Sequence, residues 1–204
     1  MKRILILGVA LALVALMAAG LSAAERKGTF GVGVGGGVGI PTGTFGDESK
    51  LGWRAGLGFG YFTTDQIAIG AEGTLGQHKA KSALIVTPVT DIKTQLLEFG
   101  AWARYFFKMQ SEKISPYVKF GVGATSDKAK VTPEPTGGIK SETFMGANIG
   151  VGGLYAVSPT ASIFLEGGFY DYAKKDFKPI NYVAAKVGVA YMFGGYSSGG
   201  GGTE

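Results

Sequence analysis

Seven charged side chains recur at one kind of position in this chain, and they are its strongest candidates for chemistry. They comprise three acids and four bases: Arg54, Glu72, Glu98, Arg104, Lys119, Glu166 and Lys186. Each falls on the small or polar side of a segment whose other side carries bulky apolar residues. Charges in a low-dielectric interior are costly unless they are paired. The near balance of signs therefore predicts a network of internal salt bridges, and it leaves an ion pathway or gate open.

The segment Thr29–Ile40 shows the underlying alternation most clearly. Glycine stands at every odd position from 31 to 39, and apolar residues stand at even positions: Phe30, Val32, Val34, Val38 and Ile40. A strand turns successive side chains to opposite faces, so one face is apolar and the other is nearly bare. The same segment contains a G-x-G-x-x-G pattern. Because this pattern lies inside a predicted strand and runs into Pro41, it does not predict a dinucleotide site.

Eight segments with this alternation are about as long as the roughly 9–11 residues that a membrane strand needs. They are Thr29–Ile40, Leu51–Phe62, Ile67–His78, Gln95–Phe107, Tyr117–Thr125, Thr143–Val157, Ala161–Tyr172 and Tyr182–Phe193. Closure into a barrel satisfies every backbone donor and acceptor, which hydrocarbon cannot do. The sequence therefore predicts an all-β fold, a single closed antiparallel up-and-down transmembrane β-barrel of about eight strands.

A soluble, ligand-carrying barrel is the alternative, and the character of the two faces argues against it. Glycine and charge together cannot form a water-excluding core, but they can line a narrow lumen. The bulky apolar face then contacts lipid. Nine aromatic residues near one predicted end of the barrel are expected to form an interfacial girdle: Tyr61, Phe62, Tyr105, Phe106, Phe107, Tyr117, Tyr155, Tyr191 and Phe193.

The two ends of the chain differ from the predicted barrel in composition. Residues 1–24 have the order of an export signal, with Lys2 and Arg3 before an apolar stretch and then small residues, so we expect cleavage near Ala24. Residues 25–193 then form the barrel, and the Gly/Ser-rich tail 194–204 is expected to be flexible. This organisation predicts a protein exported to the bacterial outer membrane.

The segments between the predicted strands support the division. All seven prolines fall there, as expected for a residue that cannot donate to a ladder. Short periplasmic turns alternate with longer outer loops, the arrangement of bacterial outer-membrane barrels. The loops 79–94, 126–142 and 173–181 carry many lysines with interspersed acids. They are candidates for meeting lipopolysaccharide phosphates or an extracellular partner, and a merely solvated face is the alternative.

Few residues are candidates for catalysis, metal binding or nucleic-acid binding. His78 is the only histidine, and we expect it to be a solvated residue at the rim, with no serine-type triad and no histidine-based metal site. There is no cysteine, so disulfides and thiolate sites are excluded. The net charge of +5 falls when Lys2 and Arg3 are removed, and is too small to indicate nucleic acid. We predict no catalytic residue, no metal, no cofactor and no enzymatic activity.

Three motifs carry a resemblance to a known group. They are the glycine-alternating first strand, the run Leu-Gly-Phe-Gly-Tyr-Phe at 57–62 before a tight turn, and Ala-Arg-Tyr-Phe-Phe at 103–107. The chain resembles, over residues 28–193, the small eight-stranded outer-membrane proteins of the OmpA/OmpX/OmpW-like barrel superfamily. Lys186–Phe193 is similar to the terminal assembly signal of that group, with matching residues at Lys186, Gly188, Tyr191 and Phe193. The resemblance implies the barrel-assembly machinery as a partner during biogenesis, although here residues 194–204 follow the signal.

These expectations combine into one functional hypothesis. The chain is predicted to be an integral outer-membrane barrel with a mainly structural or surface-interaction role, its lumen filled by the charged network and its outside in contact with membrane lipid and lipopolysaccharide. A narrow channel for small or hydrophobic solutes is the alternative that the OmpW-like resemblance allows. An outer-membrane enzyme is a further alternative, against which the sparse catalytic inventory counts.

Overall fold

The structure, a computed structural model, describes residues 26–81, 91–109, 113–132 and 141–194. The predicted export signal at 1–24 lies outside the described residues, and so does the predicted tail apart from Gly194. Within the described ranges, no helix is long and apolar enough to cross a membrane.

Eight strands and one short helix form the described part of the chain. The strands are β1 (Phe30–Thr42), β2 (Gly52–Phe62), β3 (Ile67–Lys79), β4 (Asp91–Phe106), β5 (Ile114–Thr132), β6 (Glu142–Ala156), β7 (Ala161–Ala173) and β8 (Ile180–Phe193). The helix α1 (Gly43–Glu48) follows β1. Each strand pairs antiparallel with the next, and β8 returns to pair with β1, which closes the barrel. The predicted eight-stranded up-and-down barrel is confirmed.

The two faces of the barrel wall have opposite character. Large apolar side chains point outward and stay exposed, such as Leu57 at 69% and Val122 at 62%. Charged side chains such as Arg54, Lys119 and Glu166 point inward and are buried. An apolar exterior is stable against lipid and would be unstable against water, so the wall is built for a membrane.

The two ends of the barrel also differ. At the turn end, β1 begins, β8 ends, and the connections from β2 to β3 and from β6 to β7 are short. The opposite end, called the loop end here, carries α1 and the connections from β3 to β4, from β5 to β6 and from β7 to β8.

The strands β4 and β5 run further toward the loop end than the predicted bounds. Their ladder reaches Asp91 opposite Thr132, whereas the β5–β6 ladder ends at Asp127 opposite Glu142. Parts of the predicted loops 79–94 and 126–142 are therefore strand. The period of two continues there, but polar residues replace the apolar ones on the outward side. Above the hydrocarbon both faces are wet, so the apolar signal that defined the other strands is lost.

Two prolines contradict the prediction that every proline lies between strands. Pro41 lies in β1 and Pro116 lies in β5. Both occupy strand ends where the ladder on one side has stopped, since the β1–β2 register ends at Gly39 and the β4–β5 register ends at Tyr117. A proline is tolerated at such a one-sided position because its missing N–H leaves no ladder bond unmade on that side.

The helix α1 was not expected, because the sequence carries no helix signal there. It lies at the loop end, where buried Phe45 packs edge-on against His78 with ring centres 5.2 Å apart. Glu48 forms an ion pair with Lys178, and the Lys81 ammonium donates to the carbonyl of Gly46. A helix of six residues is too short to be stable alone. These contacts with the rim therefore hold it in place.

Candidate functional site in the barrel lumen

The first group of inward charges lies toward the loop end and is called the upper layer. It consists of Arg54, Glu98, Tyr170, Tyr172 and Tyr182. The Arg54 guanidinium nitrogen lies 2.8 Å from the Glu98 carboxylate, and both side chains are at most 5% exposed. The same carboxylate oxygen accepts hydrogen bonds from the hydroxyls of Tyr182 at 2.7 Å and Tyr172 at 3.2 Å. An ion pair from β2 and β4 is thus tied across the lumen to β7 and β8.

The Arg54 guanidinium also lies against aromatic rings. Its central carbon is 4.3 Å from the ring centre of Tyr182 and 4.9 Å from that of Tyr170. A cation over an aromatic face is attracted by the ring, and more strongly when water is excluded. The upper layer therefore surrounds its buried cation with one carboxylate and two rings, although the Nε and Nη1 atoms of Arg54 have no hydrogen-bond partner among the described residues.

The second group, the lower layer, has Glu166 at its centre. The Glu166 carboxylate lies 2.8 Å from the Arg104 guanidinium and 3.1 Å from the Lys119 ammonium. The Lys186 ammonium lies 2.9 Å from it, and the Tyr117 hydroxyl donates to it at 3.0 Å. Three cations from three strands therefore converge on one buried carboxylate.

Glu72 completes the lower layer from β3. Its carboxylate lies 2.6 Å from the Lys119 ammonium and 3.5 Å from the Lys186 ammonium. The two lysines are thus shared between two acids, and the five charges form one connected network rather than separate pairs. Within the lumen this network links β3, β4, β5, β7 and β8.

A mainly aromatic hydrophobic group, the turn-end cluster, lies below the lower layer: Phe62, Ala68, Trp102, Phe106, Tyr117 and Leu154. Arg26, just before β1, reaches this cluster. Its guanidinium carbon lies 5.6 Å from the ring centre of Phe62 and 5.3 Å from that of Phe106. It also donates a hydrogen bond to the Ser115 hydroxyl. The cluster and Arg26 narrow the turn end of the lumen.

Asp65, in the turn between β2 and β3, holds the segment that carries Arg26. Its carboxylate accepts hydrogen bonds from the backbone N–H groups of Lys27 at 2.9 Å and Arg26 at 2.8 Å. These two donors lower the pKa of Asp65 below its ordinary value. The backbone N–H of Gly28 in turn donates to the carbonyl of Phe62 at 2.9 Å. Arg26 is therefore presented to the lumen from an anchored backbone.

The predicted aromatic girdle is wrong in three of its members. Phe62, Phe106 and Tyr117 are buried and point into the lumen, where they form part of the turn-end cluster. Their outward neighbours Tyr61 and Tyr105 belong to the other face. The period of two assigns these faces correctly. The girdle prediction is wrong because it groups the aromatic residues by their nearness to one end of the barrel and not by face.

Glycines on β1 and β2 form one bare side of the lumen, called the glycine wall: Gly31, Gly33, Gly35, Gly56, Gly58 and Gly60. These residues face one another in the β1–β2 ladder. A methyl group at Gly35 would lie 2.6 Å from the Phe164 ring, and one at Gly60 would lie 2.5 Å from the Trp102 ring. The wall is bare because large side chains of the opposite strands rest against it. A cavity of about 90 Å³ remains between it and the lower layer.

His78 is buried, so the expectation of a solvated residue at the rim is wrong. Its Nδ1 lies 3.1 Å from the carbonyl oxygen of Lys50, beneath α1. Within the described part of the chain, its ring nitrogens make no hydrogen bond to a serine or a carboxylate. Among the same residues, no three histidine, aspartate or glutamate side chains are grouped so as to hold a metal ion. His78 therefore acts as a packing residue below the helix.

The fold agrees with a comparison of the sequence against profiles of protein families. A family profile described as the outer membrane protein beta-barrel domain matches residues 10–193. The chain belongs to this family. The turn end of this outer-membrane barrel is thus assigned to the periplasm and the loop end to the outside, following the arrangement of such barrels. No curated protein sequence matches the chain.

Solved structures show the same fold for this outer-membrane barrel. Neisserial surface protein A, NspA, superposes with a TM-score of 0.61 at 20% identity, over 82% of this chain and 100% of NspA. OprG from Pseudomonas aeruginosa gives 0.55 at 13% identity, over 84% and 98%. Ail of Yersinia pestis, in complex with the heparin analogue sucrose octasulfate, gives 0.53 at 16%, over 82% and 99%. At such low identities these likenesses show the fold alone.

All seven charges singled out in the sequence point into the lumen of this outer-membrane barrel. Two of them lie in the upper layer and five in the lower layer. Sequence reasoning missed the tyrosines that complete the upper layer and the approach of Arg26 to the turn-end cluster. Tyr170, Tyr172 and Tyr182 stand at even positions, as do the inward residues Glu166 and Lys186. That parity was the signal that could have found them.

Proposed function

We propose that this outer-membrane barrel is a closed scaffold with a mainly structural or surface-interaction role, and that it is not an enzyme. The observation that carries the proposal is the pair of ion-pair layers that span the lumen in series. The seven residues Arg54, Glu72, Glu98, Arg104, Lys119, Glu166 and Lys186 then serve to fill and brace the interior. The outer lipid, including lipopolysaccharide, surrounds the wall, and the loops meet partners outside.

The energetic cost of opening supports a closed lumen. A solute that crosses must pass the upper layer, the lower layer and the turn-end cluster. Removing one partner from a buried ion pair costs about 3–5 kcal/mol, because the other charge remains buried without compensation. Both layers are tied to several strands, so no single side-chain rotation opens a path through them.

A narrow channel for small or hydrophobic solutes is the second candidate, and the cavity beside the glycine wall favours it. The cavity of about 90 Å³ exceeds the roughly 10–15 Å³ needed to hold one water molecule. It is lined by Glu72, Arg104 and Lys186 as well as by glycines. Because the cavity passes beside the lower layer, a hydrated path along this wall would be blocked only by the upper layer and the turn-end cluster.

The loop end offers the surfaces for an extracellular partner. Within the described residues these surfaces comprise α1, the ends of β3 to β6, and 173–181, which carries Phe177 at 47% exposure. Glu48 and Lys178 join the first and the last of these by an ion pair. We therefore propose that a partner meets α1 and 173–181 as one surface.

Conductance separates the closed scaffold from the channel. We expect the mature protein, reconstituted in a planar bilayer, to show no steady single-channel current. Glu98→Ala should give brief openings above the wild-type level but no steady current, since it releases Arg54 and both tyrosine hydroxyls of the upper layer while the lower layer and the turn-end cluster remain. Leu97→Ala, the neighbouring substitution on the lipid face, should leave the current at the wild-type level. Steady current through the unmodified barrel would establish the channel instead.

The proposed assembly signal Lys186–Phe193 forms the turn-end half of β8, which pairs with β1 and closes the barrel. Phe193 lies opposite Phe30 in the ladder, and their rings are 6.0 Å apart. If the barrel-assembly machinery reads this segment, Phe193→Ala should reduce the heat-modifiable form in outer-membrane fractions several-fold, whereas deletion of 194–204 should not. Loss of assembly on deletion, with Phe193→Ala unaffected, would contradict the assignment.

A further inference from the structure

Four lysines form a one-sided cationic surface on the outside of the barrel at the loop end. This surface, called the lysine face, consists of Lys79, Lys93, Lys128 and Lys130 on β3, β4 and β5. The ladder places Lys79 opposite Lys93, and Lys93 opposite Lys130. Like charges directly opposite each other destabilise a sheet. Three lysines in one row across three strands therefore repel one another, and a bound anion would stabilise them.

The parity of the strands places these side chains outside the barrel. On β4 the even-numbered Leu96 and Glu98 are buried, and the odd-numbered Phe99 is 62% exposed. Lys93 shares the odd, outward parity. On β5 the relation is reversed, with Thr125 buried and Val122 exposed, so even-numbered lysines point outward.

The chain supplies little compensation for this charge. Within the described residues, Asp91 is the acid on this surface, and it lies 2.9 Å from Lys93. The adjoining segments 82–90 and 133–140 contain one acid, Glu134, together with Lys140. In the loop-end halves of the other described strands, no lysine or arginine occupies an outward position. Among the described strands, the outward positive charge at the loop end is therefore confined to β3, β4 and β5.

The level of the lysine face is set by the residues below it. Leu75 lies opposite Leu97, and both are exposed on the apolar wall, at 56% and 40%. One step higher, Gln77 accepts a hydrogen bond from the indole N–H of Trp53 at 3.4 Å. Tryptophan is enriched at the membrane interface. Lys79 lies two residues beyond Gln77, about 6–7 Å further along the strand, which is the level of lipid headgroups.

We propose that the lysine face binds the phosphate groups of an anionic lipid of the outer leaflet, whose acyl chains lie against the apolar wall of β3–β5. The proposal rests on the outer-membrane location of the proposed function, but not on whether the lumen is closed. A lipid headgroup is favoured over a soluble anion because the lysines point sideways from the wall at membrane level. The lysines of the β7–β8 loop, such as Lys174, lie outside the strands, so they are not part of the lysine face.

Equilibrium binding to the mature full-length protein in neutral detergent micelles tests this. The probe is a bisphosphorylated, acylated glucosamine disaccharide, and its dephosphorylated form is the reference. The triple variant Lys79→Gln, Lys93→Gln, Lys130→Gln should bind the phosphorylated probe at least about tenfold more weakly than the wild type. Each lysine near an anionic surface adds to the binding free energy, and the variant lacks three of them. The matched control Lys174→Gln, Lys175→Gln, Lys178→Gln loses the same charge and should bind like the wild type.

Three results would overturn the proposal. They are unchanged binding by the first triple variant, equal weakening by the control, or equal affinity of the wild type for the dephosphorylated probe. Inorganic phosphate alone should not compete at concentrations similar to the probe, and full competition would show a site for soluble anions instead. Bilayer current from the same preparation decides the closed scaffold separately, since neither variant touches the lumen.

Discussion

Glu166→Gln should destabilise the barrel more than any other single change of charge in the lumen. The substitution keeps the size of the side chain but removes the carboxylate on which Arg104, Lys119 and Lys186 converge. Lys119 and Lys186 then share Glu72 alone, and Arg104 loses the one carboxylate that pairs with it among the described residues. Removing one partner of a buried ion pair costs about 3–5 kcal/mol, so we expect a loss of that size in the free energy of unfolding. Urea titration in lipid vesicles, followed by tryptophan fluorescence, measures it.

A surface pair provides the matched control for this prediction. Glu142 is paired with Lys174, and both side chains are about a third exposed. Glu142→Gln should therefore cost no more than about 1 kcal/mol. Adding Lys119→Met to the Glu166→Gln variant should restore part of the lost stability, because it removes one stranded cation. Equal effects of the two single substitutions would show that the lower layer is wet and does not brace the barrel.

Gly37→Ala should weaken the closure of the barrel and lower its stability. Gly37 lies on β1 opposite Lys186 of β8, where the two backbones approach closely. A methyl group added there would overlap the carbonyl oxygen of Ala185 and lie 2.8 Å from the Cα of Lys186. Backbone atoms cannot rotate away as a side chain can, so the two strands must separate. Overpacking typically costs about 1–3 kcal/mol, and we expect the upper end of this range, with a reduced yield of the heat-modifiable form.

Gly31→Ala is the control on the same strand and the same face. A methyl group there would meet nothing closer than the Tyr191 carbonyl oxygen, at 3.9 Å. It should change the free energy of unfolding by less than about 0.5 kcal/mol. If Gly37→Ala folded as well as Gly31→Ala, the β1–β8 pairing described here would be in the wrong register.

The sequence was sufficient to predict the strands and their faces, because a membrane imposes one rule on every residue of the wall. Leu57 must be apolar outside, and its neighbour Gly58 is free to be small inside, whatever either residue pairs with. Where the membrane ends, the rule ends, so the sequence predicts loops for the parts of β4 and β5 that lie beyond the hydrocarbon. The buried position of His78 could not be predicted for a similar reason. His78 is covered by α1, and the sequence at α1 has no recognisable helix signal.

The partners within the lumen could not be predicted, because they depend on the stagger of the strands. Glu166 meets Arg104 across the interior, and the two are 62 positions apart in the chain. Any of the four bases could have been its neighbour on the basis of face alone. The approach of Arg26 to the turn-end cluster is likewise set by the anchoring of its backbone at Asp65, and a single arginine before a strand gives no sign of it.

The pairing of β1 with β8 has a consequence for the order of folding. Phe30 lies opposite Phe193, so this seam joins the first strand to the last across the whole barrel. Contacts so distant in sequence bear the largest loop-closure entropy and form slowly. The first strand carries glycine at every inward position from 31 to 39, so this part can dock onto β8 without any inward side chain having to interdigitate. We therefore expect the other strand pairs to form first. The pairing of β1 with β8 should form last and close the barrel.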